Sequence, residues 1–84
     1  MNYKILATKS FQKDFQKIKN KKLKNNIKKE LQKLSKNPYK GKKLINLKIG
    51  QFRIRIGDYR IRYDIFQKEV VLHRLRHRKD IYRK

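Results

Sequence analysis

The stretch that decides the fold reads Phe-Arg-Ile-Arg-Ile-Gly-Asp-Tyr-Arg-Ile-Arg and spans residues 52–62. Apolar residues alternate with polar ones on both sides of Gly57-Asp58, which is the period of a strand with one buried face. A Gly-Asp pair between two such runs predicts a β-hairpin with a two-residue turn. We therefore predict two antiparallel strands whose outward side chains are arginines.

In this predicted hairpin, Arg55 lies opposite Arg60 and Arg53 lies opposite Arg62. Like charges directly across a ladder destabilise it by about 0.2–1 kcal/mol per pair. A guanidinium group is a planar fork of donors that matches phosphate oxygens two at a time. We interpret the arginine face as a surface held ready for a polyanion.

The composition indicates one small domain, residues 1–84, with a strongly basic character. The formal net charge is +21, from 27 Lys and Arg against 6 Asp and Glu. Such an excess predicts binding to a phosphate backbone or to an acidic protein. The chain has no cysteine, which excludes disulfides and thiolate metal sites. It also has neither a membrane-length apolar run nor a signal-peptide pattern, so we expect a cytoplasmic protein without membrane contact.

The remaining elements follow from apolar spacing and from turn residues. We predict a first strand at residues 2–7, a helix begun by Thr8 or Ser10, a break at Asn20, and a second helix ending at Asn37-Pro38. After Gly41 come an extended or edge segment at 44–47, strands at 51–56, 59–66 and 70–76, and a tail at 78–84. The predicted fold class is α+β: a small twisted antiparallel sheet, made of the N-terminal strand and a C-terminal three-strand meander, with a helical hairpin on one face.

The register of the last hairpin decides which arginines share a face. A three-residue loop at 67–69 pairs Phe66 with Val70 and Ile61 with Leu75. This register places Val71 and His73 on the apolar face. A two-residue turn would instead shift the pairing and scatter the last two arginines. In the three-residue register, one sheet face carries six arginines: Arg53, Arg55, Arg60, Arg62, Arg74 and Arg76.

The C-terminal segment contains further candidates for chemistry. His77 is followed by Arg78 and Lys79, and nearby cations favour the neutral, base-competent imidazole. Tyr82 is a candidate either for packing on the sheet or for stacking and proton exchange beside a basic groove. No third ligand-type residue accompanies the two histidines, so we predict no metal site and no cofactor.

In this order of elements the chain resembles the RelE/ParE superfamily of toxins from type II toxin–antitoxin systems. The matching motifs are Tyr59-Arg60-x-x-Tyr63 on a strand and His77-Arg78-x-x-x-Tyr82 in the tail, with Asn37-Pro38 after the second helix. The resemblance covers nearly the whole chain. It implies a toxin whose cognate antitoxin covers the basic face.

The RelE branch of this superfamily implies a metal-independent endoribonuclease that cleaves mRNA in the ribosomal A site. By position, the resemblance assigns catalytic roles on the sheet face and in the tail to Arg53, Arg55, Arg60, Arg76 or Arg78, and Tyr82. His77, Tyr82 and ribosomal groups are the candidates for the general base, because the arginines at 53 and 55 replace lysines of some relatives and cannot lose a proton. Arg62, Arg74, Lys79 and Arg83 complete the surface expected to contact mRNA and ribosomal RNA.

Two other functions remain open at this point. A ParE-like toxin would inhibit DNA gyrase by binding it, without RNA cleavage. A non-enzymatic RNA-binding protein would show salt-dependent binding with neither cleavage nor toxicity.

Overall fold

The structure is a computed structural model that describes residues 2–44 and 49–81. It consists of a five-stranded sheet and a helical hairpin, which confirms the α+β class. The strand order is β1-β5-β4-β3-β2. The elements are β1 (Lys4–Ala7), α1 (Lys9–Gln16), α2 (Lys21–Lys36), a 3₁₀ turn (Pro38–Lys40), β2 (Lys42–Lys43), β3 (Phe52–Ile56), β4 (Tyr59–Phe66), β5 (Glu69–His77) and α3 (Arg78–Ile81).

The first hairpin has the predicted register. Arg53 pairs with Arg62 and Arg55 with Arg60 across the β3–β4 ladder. Gly57 has a φ of 58°, and a positive φ at the first central residue is what a type II′ turn requires and what glycine adopts without steric cost. The like-charged arginine pairs are therefore a real feature of the folded protein.

The second hairpin differs from the prediction in its turn and regains the predicted register further along. Phe66 pairs with Glu69, so the turn is the two-residue Gln67-Lys68, and the predicted three-residue loop is wrong. Near the turn the register is shifted by one residue, which exposes part of Val71 and buries Val70 and Leu72 instead. A β-bulge then inserts one extra residue, His73, between Leu72 and Arg74.

The bulge restores the arginine pairing. Beyond it, Arg62 pairs with Arg74 and Arg60 with Arg76, as predicted, although the turn is the one expected to scatter them. The same extra residue moves His73 off the apolar face, where the sequence had placed it. The bulge therefore compensates for the short turn and keeps the arginines on one face.

The N-terminal strand β1 pairs with β5 in parallel, so the sheet is mixed and not purely antiparallel. This pairing covers only Glu69 to Leu72, and helix α1 packs along the remainder of β5. Thr8 is the N-cap of α1: its hydroxyl oxygen accepts from Phe11 N at 3.2 Å. The same hydroxyl donates to Leu72 O at 2.8 Å, which ties the helix start to the bulge.

The core lies between the helical hairpin and one face of the sheet. The Tyr63 hydroxyl, buried there, donates to Pro38 O at 2.7 Å, and burial raises the pKa of Tyr63 to about 12. No helix among the described residues is long and apolar enough to cross a bilayer. The buried apolar residues are Phe11, Ile18, Ile27, Leu34, Ile54, Ile56, Ile61, Tyr63, Val70, Leu72 and Leu75.

Candidate functional site

Arginines from three neighbouring strands converge on one depression, which we call the arginine hollow. Its volume is about 350 Å³. Because alternate residues of β3 and β4 are buried under the helices, the arginines between them lie on the opposite face of the sheet. The hollow is lined by Arg53, Arg60, Arg62, Arg74, Arg76 and His73, together with Leu44, Ile49 and Gly50.

One wall of the hollow is held by a network around Asp64. The carboxylate accepts from Gly50 N at 2.8 Å, from Gln51 N at 2.7 Å and from His73 Nε2 at 2.8 Å. Arg62 donates from Nε to Gly50 O at 2.8 Å. Its Nη2 also donates to Ile49 O at 3.1 Å, so Arg62 holds the backbone of residues 49 and 50 with two of its donors.

A second carboxylate, that of Asp14, accepts hydrogen bonds from β5 at the edge that β1 does not cover. Asp14 of α1 accepts from Arg74 Nε at 2.8 Å and Nη2 at 3.1 Å, and from Leu75 N at 3.0 Å. The Asp14 side chain is only 8% exposed, whereas that of Arg74 is 41% exposed. Because β1 ends before this point, Asp14 satisfies a strand N–H that would otherwise lack a ladder partner.

Two other arginines of the hollow, Arg76 and Arg60, differ in their surroundings. The Nε of Arg76 is buried and has no hydrogen-bond partner among the described residues, which is unfavourable for a free protein. Arg60 lines the hollow and also an adjacent depression of about 280 Å³, which we call the turn depression. The turn depression is lined by Arg55, Gly57, Asp58, Arg60 and Arg78. Arg60 is therefore shared by two adjoining basic sites.

His77 does not line the hollow itself, but it lies in an adjoining depression that shares Arg74 and Arg76 with the hollow. Its ring packs edge-on against Tyr59, with centroids 5.0 Å apart, in a depression that includes Lys17 and Ile18 of the helical side. Its Nδ1 accepts from Lys79 N at 3.0 Å, so that nitrogen is already occupied. The sequence placed His77 near the arginines, and the structure has it beside Arg74 and Arg76. The sequence placed His73 on the apolar face, and the structure brings it to the arginine hollow.

The sequence profile of the ParE toxin of type II toxin–antitoxin systems (parDE) matches residues 5–82. The chain belongs to the ParE toxin family. The toxin is also similar in structure to a chain of the toxin–antitoxin complex RelBE2 from Mycobacterium tuberculosis, with a TM-score of 0.78 and 29% identity over 92% of this chain and 99% of that one. A chain of the RelB–RelE antitoxin–toxin complex from Methanococcus jannaschii gives a TM-score of 0.74 and 26% identity over 92% and 94%. No curated protein matches the sequence.

The toxin's predicted site residues are only partly brought together. Arg53, Arg60 and Arg76 share the hollow, while Arg55 and Arg78 lie in the turn depression. Lys79 is exposed after β5. Tyr82 and Arg83 lie outside the described residues, as does most of the predicted edge segment at 44–47. No group of three metal-ligating side chains is found in the described parts of the toxin.

Two aspartates that organise the site, Asp14 and Asp64, were not among the residues predicted from the sequence. Burial would raise the pKa of Asp14, but hydrogen bonds from Arg74 and from Leu75 N, and the charges of Arg74 and Arg76, lower it below its usual value. Burial would also raise the pKa of Asp64. Hydrogen bonds from Gln51 N, Gly50 N and His73 outweigh this effect, so the pKa of Asp64 too lies below its usual value. The feature of the sequence that could have pointed to these aspartates is the rarity of acidic residues, 6 against 27 basic ones.

These lowered pKa values predict acid sensitivity of the fold. Both folded-state values lie below the unfolded value of 3.8, so each carboxylate contributes stability above about pH 4 that is lost as pH falls through the folded pKa. Urea unfolding at pH 6 and pH 3 measures the loss. We expect Asp14→Ala to lose less stability than the unmodified toxin over this interval, because one of the two titrating groups is gone. An equal loss in both proteins would contradict this account.

Proposed function

We propose that the toxin is a ribosome-dependent mRNA endoribonuclease that inhibits translation. The observation that carries the proposal is the convergence of five arginines of β3, β4 and β5 on one hollow. The adjoining turn depression, which shares Arg60, offers a second site for phosphate along the same face. Two neighbouring basic sites suit successive phosphates of one RNA strand better than a single isolated anion.

The proposed reaction uses the 2′-OH of the substrate as the nucleophile. Its oxygen attacks the adjacent phosphorus, the bond from phosphorus to the 5′-oxygen breaks, and the products are a 2′,3′-cyclic phosphate and a free 5′-OH. Negative charge collects on the phosphoryl oxygens in the transition state, where donors fixed in advance stabilise it without reorganising. We assign this role to Arg60 and Arg76 in the hollow, and to Arg78, which lies with Arg60 in the turn depression.

The remaining basic residues are proposed to hold the RNA backbone. Arg53 and Arg55 lie on β3, on either side of Ile54, and so face the substrate side of the sheet. Arg62 and Arg74 are each bonded to protein groups, and their charge contributes to the field of the hollow more than to new hydrogen bonds. Tyr82 and Arg83 remain predicted contributors from the tail, and Lys79 a predicted phosphate contact.

Mapping the 5′ ends of mRNA after controlled expression of the toxin in a bacterium tests this function. We expect new 5′ ends within translated reading frames, and none in messages whose translation is blocked. Inhibition of growth without new 5′ ends would contradict the proposal. A 2′,3′-cyclic phosphate on the upstream fragment gives an independent check. Attack of water would leave no cyclic phosphate, and would give instead a 3′-phosphate with a 5′-OH or a 3′-OH with a 5′-phosphate.

A second candidate is inhibition of DNA gyrase without RNA cleavage, which the match to the ParE toxin profile over residues 5–82 favours. A supercoiling assay with purified gyrase distinguishes the two. The endoribonuclease is expected to leave supercoiling unchanged at concentrations that stop translation. A non-enzymatic RNA-binding protein would be recognised by salt-dependent binding alone.

We further propose a cognate antitoxin as the toxin's partner. The similar solved structures are toxin–antitoxin complexes, and the net charge of +21 predicts a partner with acidic segments. Binding that neutralises a like-charged face stabilises the folded toxin. A small neighbouring gene whose product co-purifies with the toxin is the expected finding.

A further inference from the structure

We propose that His73 is the general base of the arginine hollow and takes the proton of the attacking 2′-OH on its Nδ1. This inference rests on the proposed endoribonuclease function and names the group that the sequence left open. The extra residue of the β-bulge is His73 itself, and its ring lines the hollow together with Arg60 and Arg76. Bulges commonly re-aim a side chain next to an active site.

The chemistry of the hollow leaves few alternatives. Its arginines cannot give up a proton near neutral pH, and the leucine, isoleucine and glycine of its lining have no proton to exchange. An imidazole is the side chain whose ordinary titration lies in the neutral range. Among the described residues that line the hollow, His73 is therefore the one suited to accept a proton.

The contact with Asp64 fixes the state of the ring. Asp64 Oδ2 accepts from His73 Nε2 at 2.8 Å, and Asp64 is itself held by two backbone N–H groups of the 50–51 segment. Because a carboxylate accepts and does not donate, the neutral ring carries its hydrogen on Nε2 and its lone pair on Nδ1. The charged groups around the ring are Arg53 from β3, Arg60, Arg62 and Asp64 from β4, and Arg74 and Arg76 from β5.

The step balances without a further reactant. The proton of the 2′-OH moves to Nδ1 as the bond from the 2′-oxygen to phosphorus forms. The departing 5′-oxygen takes a proton from water, and the imidazolium later returns its proton to solvent. The arginines stabilise the phosphoryl charge while the Asp64 carboxylate stabilises the transient imidazolium, as expected for a His–Asp pair.

The test is the pH dependence of cleavage on programmed ribosomes under single-turnover conditions. For the unmodified toxin, the rate is expected to rise with pH as the base loses its proton and then to level off. His73→Gln keeps an amide N–H that can donate to Asp64 but has no basic nitrogen. We expect it to cleave about 10²–10⁴-fold more slowly and to lose the rise.

Two controls show whether a slower reaction reflects the loss of the base: the Tm of the His73 variant and the pH profile of His77→Gln. His73→Gln is expected to change Tm by no more than about 5 °C, a small shift for a domain of this size. If it does not fold, His73→Asn takes its place. An unchanged pH profile in a folded His73 variant overturns this inference alone, and so does loss of the profile in His77→Gln but not in His73→Gln. A toxin that cleaves no message at any pH overturns the proposed function and this inference together.

Discussion

Arg60→Ala is expected to abolish toxicity, with cleavage on the ribosome slowed about 10²–10³-fold. Arg60 lines both the arginine hollow and the turn depression, so its loss removes donors from two adjoining sites that we propose for phosphate. Cell growth after induction and mapping of mRNA 5′ ends measure the effect. Full growth arrest with wild-type truncation of messages would contradict the assignment of Arg60.

Two further variants show whether the effect is chemical. Arg60→Lys keeps the charge but not the planar fork, and is expected to recover only part of the activity. Lys29→Ala removes a cation from the exposed side of α2 and serves as the matched control with unchanged activity. Because Arg60 faces Arg55 and Arg76 across two ladders, Arg60→Ala also relieves like-charge repulsion. We therefore expect its free energy of unfolding to be equal to or higher than that of the unmodified toxin.

Asp14→Ala is expected to be the most destabilising single substitution among the charged residues, by about 2–3 kcal/mol. The carboxylate is nearly buried, bonds Arg74 twice and satisfies the N–H of Leu75. Its removal leaves both a guanidinium and a strand N–H without their partner at the edge of β5. Urea unfolding at pH 7 gives the free energy directly, and Tm should fall by roughly 10–20 °C for a domain of this size.

Glu30→Ala is the matched control for this prediction. Glu30 also pairs with cations, Lys40 at 3.1 Å and Lys33 at 3.7 Å, but on the helix surface. Exposed ion pairs contribute about 0–1 kcal/mol, so the control should change stability little. Equal losses in the two variants would mean that Asp14 acts as an ordinary surface charge and would refute its role at the strand edge.

The helices and the first hairpin were predictable from local signals. Thr8, one of the two predicted N-caps, accepts Phe11 N at the start of α1. Asn20, predicted as the break between the helices, lies between them and is also the N-cap of α2, where it accepts Leu23 N. Gly57-Asp58 specifies a two-residue turn by its backbone preference. Each of these signals acts within a few residues, which is why inspection of the sequence recovers it.

The second hairpin was mispredicted because its signals are not local. Gln67 adopts a φ of 55°, a left-handed conformation that residues with a side chain disfavour. The sequence there contains no Gly or Asn that would predict a two-residue turn. The bulge at His73 follows from packing on both sides of β5: the short turn buries Val70 and Leu72, while Leu75 must also reach the core. One extra residue satisfies both demands, and no pattern in the sequence marks where it falls.

By itself, then, the sequence determined the arginine face, since a period-two alternation of Ile and Arg leaves the charged side chains only one side of the sheet to occupy. The tertiary structure alone decided which groups complete that face. Strand β1 pairs with β5 from the other end of the chain. Asp14 and Arg74 lie 60 positions apart, and Asp64 and His73 lie 9 positions apart on two different strands. Such contacts depend on how the elements pack against each other, and packing is a property of the assembled core and not of any one segment.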